Sequence, residues 1–345
     1  MKSLFGKTLD ELVSTVKENG LPSFAGKQIA DWLYKKNVTD INAITNLSKK
    51  AREMLSSEYE IGVYPPLDVQ VSSDGTKKYL YRLYSGASIE SVYIPESDRA
   101  TLCISSQAGC RMGCRFCMTA RQGLKANLTS GEILNQIWSL PEKDKLTNVV
   151  YMGMGEPMDN IDEVLKSLEI LTADYGAGWS HKRITVSTIG VIPGLEKFLK
   201  NSQCRLAISI HSPFDEERRQ LMPMQKAFPI KDVLKLIEKN EYAHRRISFE
   251  YIMFAGVNDS LRHAAALVRL LSGKDLRINL IRFHKIPDNP LSPADETTME
   301  NFKNYLNAKG LLTTIRSSRG EDIFAACGML STNLIIKQDS CGRSN

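Results

Sequence analysis

Apolar residues recur every three or four positions through residues 1 to about 60, the period of helices that bury one face. Thr8-Leu9-Asp10-Glu11 has the form of a capping box before the first such segment, with a threonine hydroxyl and a glutamate satisfying two otherwise orphaned backbone donors. A second helix is predicted over 24–36, with Ile29, Trp32 and Leu33 on one face, and a third after Ser48. Pro65-Pro66 ends the pattern, because proline lacks the backbone donor a helix needs. Strand-like runs follow at 67–72, 77–84 and 88–94, separated by Asp74-Gly75 and Ser85-Gly86. Turn dipeptides between such runs predict a small antiparallel meander.

The rhythm then changes. Apolar strand candidates appear at 101–105, 148–152, 183–187, 205–210, 247–253 and 278–283, with one more at 311–317. Helical segments lie between most of them, such as 129–140, opened by Thr129-x-x-Glu132, and 160–171. Alternating strands and helices predict parallel strands joined by right-handed crossovers. The expected fold is therefore α/β, a partial (β/α)6 barrel over 97–334. It is preceded by an N-terminal helical accessory domain over 1–62 and an antiparallel β extension over 63–96, and followed by a tail over 335–345. Chemistry in such barrels sits on the loops that follow the strands. A cysteine run follows the first barrel strand, and GMGEP, STIG, SIHS and RFHKIP follow the second, third, fourth and sixth.

The chain has 345 residues, 42% hydrophobic and 24% charged, as in ordinary soluble proteins. No apolar stretch approaches a membrane span, and the first residues carry acids too early for a signal peptide. A cytoplasmic protein without a membrane partner is expected. In that compartment, clustered cysteines suggest metal binding or catalysis and not a disulfide framework. The net charge of +6 permits a polyanionic partner without demanding one. Local charge says more. Residues 100–131 contain no acid but hold Arg111, Arg115, Arg121 and Lys125. Further basic groups are Lys49, Lys50 and Arg52; His244, Arg245 and Arg246; and Arg316 with Arg319. Each alone fits a solvated face, whereas together they suit nucleic acid.

Cys110, Cys114 and Cys117 lie four and three residues apart on one predicted loop. Thiolates select soft or borderline metals. Structural zinc takes a closed set of four ligands, typically in two pairs, which this spacing does not supply. An iron–sulfur cube normally takes four cysteines, so three would leave one iron open to a substrate or cofactor. Cys103 lies seven residues earlier, within the predicted strand.

CxxxCxxC after the first barrel strand resembles the radical S-adenosylmethionine (SAM) superfamily, and Met152-Gly153-Met154-Gly155-Glu156-Pro157 resembles its GGEP-type motif. The resemblance implies a [4Fe-4S] cluster on Cys110, Cys114 and Cys117, with SAM on the open iron. ESVYIPE at 90–96, RATLCISSQAGC at 99–110, STIG at 187–190, SIHSP at 209–213, LMP at 221–223, GVNDS at 256–260 and RGEDIFAACG at 319–328 extend it. They look like the RlmN/Cfr group, whose members methylate an adenine of large-subunit ribosomal RNA at carbon 2 or carbon 8. Proline in GMGEP resembles the carbon-2 branch, which also acts on a transfer RNA; the carbon-8 branch tends to have alanine there. The helices of 1–62 resemble the accessory unit of the carbon-2 branch, which implies an RNA-binding role for them.

By that resemblance Cys327 takes a methyl group from one SAM, a second SAM yields the radical, and Cys103 resolves the protein–RNA adduct through a disulfide with Cys327. Glu90 matches the proposed proton acceptor. Gly155, Glu156, Ser187, Ser209-Ile210-His211 and His284 match SAM contacts. The implied partners are 23S rRNA, tRNA and an electron donor such as flavodoxin or ferredoxin, and the implied state is a monomer. The chain departs from the pattern at His284, where relatives often have asparagine, and at Ala120-Arg121, where they often have glycine and lysine.

Other readings of the same residues stand beside these. Cys327 and Cys103 also suit small apolar core positions. Glu90 also suits an exposed strand position, and Ser187 and Ser209 suit ordinary strand ends. Cys204 reads as structural and Cys341 as inert in a polar tail. The rivals for function are methylation at carbon 8 and a non-enzymatic, zinc-stabilised RNA-binding protein.

Overall fold

The structure is a computed structural model and describes residues 1–239, 245–271 and 276–331. His244, Cys341 and the 335–345 tail lie outside the described residues.

The three N-terminal helices form where local signals place them. Helix α1, Leu9–Glu18, opens on the capping box: Glu11 N donates to Thr8 Oγ1 at 3.3 Å and Thr8 N to Glu11 Oε2 at 2.9 Å. Helix α2 spans Phe24–Tyr34, and α3, Lys49–Glu58, is capped by Ser48. Strand Lys2–Ser3 pairs in parallel with Tyr59–Glu60 and closes the unit. Its core runs on into the rest of the protein. Phe5 and Tyr34 pack on Trp138 of a barrel helix, with ring centroids 5.5 and 6.0 Å away. Gly6 meets Gly131 so closely that a Cβ on Gly6 would stand 2.2 Å from Gly131 N.

One ten-stranded sheet organises the remainder. In chain order its strands are β1 (Asp68–Val71), β2 (Lys77–Arg82), β3 (Ser88–Pro95), β4 (Ala100–Cys103), β5 (Asn148–Tyr151), β6 (Ile184–Thr188), β7 (Arg205–Ser209), β8 (Ile247–Met253), β9 (Leu276–Arg282) and β10 (Thr313–Ile315). Spatial order follows chain order. Pairs from β1 to β4 are antiparallel, and pairs from β4 to β10 are parallel. The expected meander is therefore present but continuous with the barrel sheet, through Val92↔Cys103 and Tyr93↔Leu102. Residues 89–93 of β3 are buried on both faces, so this strand needs neighbours on both sides. Among the described residues the outer strands β1 and β10 do not pair, and the barrel is partial.

Six helices make the crossovers from β4 to β10: Ser130–Trp138, Ile161–Thr172, Ile192–Asn201, Ile230–Lys239, Leu261–Leu271 and Glu296–Ala308. Period two divides each strand between helix layer and interior. On β8, Phe249 and Tyr251 are buried, with Tyr251 stacked on Phe302 of the last helix at 5.5 Å, whereas Glu250 and Ile252 face the barrel cavity. The cysteine run, expected to be loop, contains a hairpin. Gln107–Cys110 pairs antiparallel with Gly123–Asn127. Among the described residues no helix is long and apolar enough to cross a membrane.

Candidate active site

The interior cavity at the carboxyl ends of the parallel strands has a volume of about 1130 Å3, solvent at its mouth included. Cys110, Cys114, Cys117, Cys103, Cys327, Gly155, Glu156, Ser187, Ser209 and His211 all border it. Residues spread over more than 200 positions of sequence thus meet at one place.

The hairpin and its surroundings hold the cysteine run. Cys110 ends the first hairpin strand, and Cys117 caps the single helical turn Met118–Arg121. Arg115 N donates to Leu221 O at 3.0 Å, and Met118 N to Gly328 O at 2.8 Å. The three thiols line one cavity, close enough for the charges of Cys110 and Cys117 to act on Cys114. Three thiolates fall one short of the closed set that structural zinc takes and are the donor type an iron–sulfur cluster uses. Burial pushes Cys110 up to about 12 and raises Cys114 and Cys117 too. Metal charge is what offsets such a penalty, because thiols ligate as thiolates.

Gly155 takes φ +101°, and a Cβ there would meet Gln107 Cβ at 2.6 Å. Only glycine fits this turn. The Glu156 carboxylate is occupied by backbone: Oε1 accepts from Met158 N at 3.1 Å and Oε2 from Ile189 N at 3.0 Å. It thereby locks the loop after β5 to the loop after β6. Burial raises its pKa to about 7 against those hydrogen bonds. His211 Nδ1 accepts from Ile252 N at 3.0 Å, which leaves the ring proton on Nε2. Burial pushes His211 down to about 3, so the ring is neutral. The Ile210 side chain is fully buried, and its carbonyl accepts from Arg218 Nε at 3.1 Å.

Cys103 and Cys327 both line the cavity. Burial raises both thiols; the Cys327 charge raises Cys103 further, while Cys327 itself is opposed by Glu250 and Cys117 and favoured as thiolate by Arg316. Cys327 has exposed surface although protein surrounds it, as befits a side chain on the wall of a concave site. No disulfide joins the described cysteines.

Glu90 lies behind the cavity and does not line it. It is fully buried, its Oε2 accepts from Ser331 N at 2.8 Å, and Lys78 Nζ stands 3.3 Å from Oε1. Burial raises its pKa, with Lys78 opposing. His284 lies in an adjoining cleft that shares Cys103 and Cys327, where Nε2 bonds Ser318 Oγ at 2.8 Å and Nδ1 is 3.1 Å from Glu321. Ala120 sits inside the helical turn, and Gly123 takes the positive φ instead, at +66°. Arg121 donates to the carbonyls of Pro287 and Asp288.

Two of the four basic groups in the acid-free segment are thus engaged internally, since Arg111 pairs with Asp159 at 2.5 Å. Two residues of the site escaped sequence reasoning. Glu250 lines both the cavity and the cleft, fixed through Oε1 by Asn279 Nδ2 at 2.8 Å. The signal was a single acid inside the apolar strand. Arg218 is buried beneath two strand-end loops, yet its surroundings, DEERRQL, read as a solvated charge run.

Residues 104–268 match the radical SAM superfamily, and residues 2–61 match the ribosomal RNA large subunit methyltransferase N-terminal domain. The chain is 59% identical over 332 residues to a probable dual-specificity RNA methyltransferase RlmN of Parabacteroides distasonis, covering 96% of this chain and 97% of that one. It is 40% identical over 340 residues to the dual-specificity RNA methyltransferase RlmN of Dichelobacter nodosus, covering 95% and 93%. The crystal structure of a radical SAM methyltransferase from Sphaerobacter thermophilus matches with a TM-score of 0.89 at 36% identity, covering 96% of this chain and 99% of that one.

Proposed function

The chain belongs to the RlmN family of radical SAM RNA methyltransferases, and from that premise we propose that it methylates carbon 2 of an adenine in 23S rRNA and in tRNA through a methylated Cys327. The family's cofactors are a [4Fe-4S] cluster and SAM. When bound, they supply the electron and the 5′-deoxyadenosyl radical that the chemistry requires. The observation that carries the reading is the single cavity shared by the three-cysteine run, Cys103 and Cys327.

Each residue has a task in this reading. Cys110, Cys114 and Cys117 hold the cluster. Gly155, Glu156, Ser187, Ser209 and His211 shape the SAM site, with the His211 ring fixed as a neutral donor by Ile252 N. His284, in the adjoining cleft, reaches SAM only by giving up Ser318 or Glu321. Cys327 accepts a methyl group as its thiolate, which Arg316 favours against burial. Hydrogen is removed from that S-methyl group, and its carbon then bonds to the adenine. Carbon 2 lies between two ring nitrogens and is electrophilic, as is the methyl group of SAM. A thiol carrier and a radical avoid that mismatch of polarity. The Cys103 thiolate attacks the Cys327 sulfur, so that an S–S bond forms as the S–C bond to the product breaks. The freed carbon takes up a proton as C2 gives one up, the unpaired electron leaves to a one-electron acceptor, and external reductant restores both thiols. Glu90 is the proton acceptor of this reading; because it does not line the cavity, the proton would reach it through an intervening donor, and its raised pKa suits that task. The target base must be unpaired or extruded to reach this cavity. The reductant is a one-electron carrier such as flavodoxin or ferredoxin, and the enzyme works in the cytoplasm as a monomer.

Mass spectrometry of nucleosides after anaerobic turnover on ribosomal and transfer RNA tests the proposal. It requires 2-methyladenosine dependent on Cys327. Finding 8-methyladenosine, or no methylated adenosine from a cluster-loaded enzyme, would overturn it.

A further inference from the structure

Among the described residues, one of the largest fully buried side chains is an arginine. Arg218, in helix Asp215–Leu221, is 1% exposed. Its Nε donates to Ile210 O at 3.1 Å, and Nη2 donates to Ser209 O at 3.1 Å and Ile189 O at 2.8 Å. Nη1 donates to Gln225 Oε1. Every one of these acceptors is neutral. Among the described residues no carboxylate forms an ion pair with this guanidinium. Asp215 makes no direct hydrogen bond to it: Gln225 Nε2 donates to Asp215 at 3.1 Å, Asp215 is itself paired with Lys231 at 2.9 Å, and its charge acts on the guanidinium only from a distance. Burial pulls the Arg218 pKa down to about 10, so the group remains a cation at neutral pH.

A buried cation without a paired anion is costly. Holding loop carbonyls does not require it, since a neutral amide also donates. The location of the charge is informative. Ile189 follows β6, and Ser209 and Ile210 end and follow β7, so the fork braces the end of the strand that carries Ser187 and the loop that carries His211. The same helix ends at Leu221, whose carbonyl accepts from Arg115 N, between Cys114 and Cys117. Two of the fork's acceptors, Ile189 and Ser209, line the same cavity as Cys110, Cys114 and Cys117, so the charge stands directly behind the wall of that cavity. An iron–sulfur cube on three thiolates is a net anion, and it becomes more negative when it gains an electron.

We infer that Arg218 is a positioning residue that also supplies the fixed counter-charge of the cluster, bracing the loops after β6 and β7 and favouring the reduced cluster on Cys110, Cys114 and Cys117. The inference rests on the assignment of the cluster to those cysteines. In the step concerned, a low-potential one-electron donor loses one electron and the cluster gains it, with no bond made or broken.

The test uses the whole chain, reconstituted anaerobically. Arg218→Gln keeps amide donors and removes the charge, whereas Arg218→Lys keeps the charge and removes the fork. Iron and sulfide content, the melting temperature of the cluster-free chain and a redox titration followed by electron paramagnetic resonance, without SAM, are measured for each. The Gln variant should titrate at a more negative potential than wild type. The Lys variant should stay near the wild-type potential while melting lower. A Gln variant with full iron and sulfide at the wild-type potential overturns the inference. Should the Gln variant fail to hold a cluster, the Lys variant decides: a restored cluster supports the counter-charge, and failure of both reduces Arg218 to a brace. A wild-type protein that forms no cluster would instead sink the cluster assignment itself.

Discussion

Replacing Lys78 by methionine tests the buried ion pair behind the cavity. Lys78 and Glu90 have side chains only 4% and 0% exposed, with Nζ 3.3 Å from Oε1. Removing one partner of a buried pair typically costs about 3–5 kcal/mol, because the other charge stays buried alone. Here the Ser331 N–H still donates to Glu90 Oε2, so the lower end, about 3 kcal/mol, is expected. The pH dependence has a definite sign. Burial already raises the Glu90 pKa above its ordinary value, and Lys78 opposes the rise. Without Lys78 the folded-state pKa climbs further. A carboxyl whose folded pKa exceeds its unfolded pKa stabilises the fold when protonated, and that contribution is lost as pH rises from the unfolded value through the folded one. Lys78→Met should therefore be weakest at alkaline pH and partly recover in acid. Adding Glu90→Gln should restore most of the stability at alkaline pH, since the amide oxygen can still accept from Ser331 N. Urea unfolding of the cluster-free chain across pH measures wild type and both variants. A Lys78→Met loss below about 1 kcal/mol and flat with pH would refute the reasoning, because it would match an exposed pair.

Cys103→Ala should accumulate a covalent protein–RNA species on denaturing gels with labelled RNA, whereas Cys327→Ala and the double variant should not; free methylated product from Cys103→Ala at wild-type yield would contradict the resolving role. Gly155→Ala forces a side chain into φ +101° and onto Gln107 at 2.6 Å, so SAM binding by calorimetry should fall sharply and stability by about 1–3 kcal/mol. Trp138→Ala removes the ring that packs on Phe5 and Tyr34. A loss of about 3–5 kcal/mol is expected, with faster proteolysis after residue 60 as the check.

Local signals survived folding best. The capping boxes at Thr8 and Thr129 open helices in the structure because their hydrogen bonds close within four residues. Cys110, Cys114 and Cys117 were legible for a similar reason, their spacing being itself the message. What was hidden depends on partners distant in sequence. The hairpin strand Gln107–Cys110 offers small residues and no alternation, and it exists because Gly123–Asn127 returns beside it. Glu90 could be read as an exposed strand residue because nothing nearby in sequence announces that Lys78 and Ser331 enclose it. His284 matched a SAM contact by motif, but its bonds to Ser318 and Glu321 are set by the last loops of the fold.

The contact between Gly6 and Gly131 has no room for even a methyl group, and surfaces that close cannot slide or rock. Lys166 spans the same junction to Glu11 at 2.7 Å. The N-terminal helices therefore stand at a set distance and angle from the cavity, like the fixed jaw of a caliper. Were those helices to grip an RNA, it would be gauged by its shape: the adenine delivered would be the one lying a fixed span from the grip. Two RNAs of unrelated sequence can pass the same gauge if each presents an unpaired adenine at that span. Lengthening the Gly6 junction by a residue would then shift which nucleotide is modified, and leave the chemistry at Cys327 as it was.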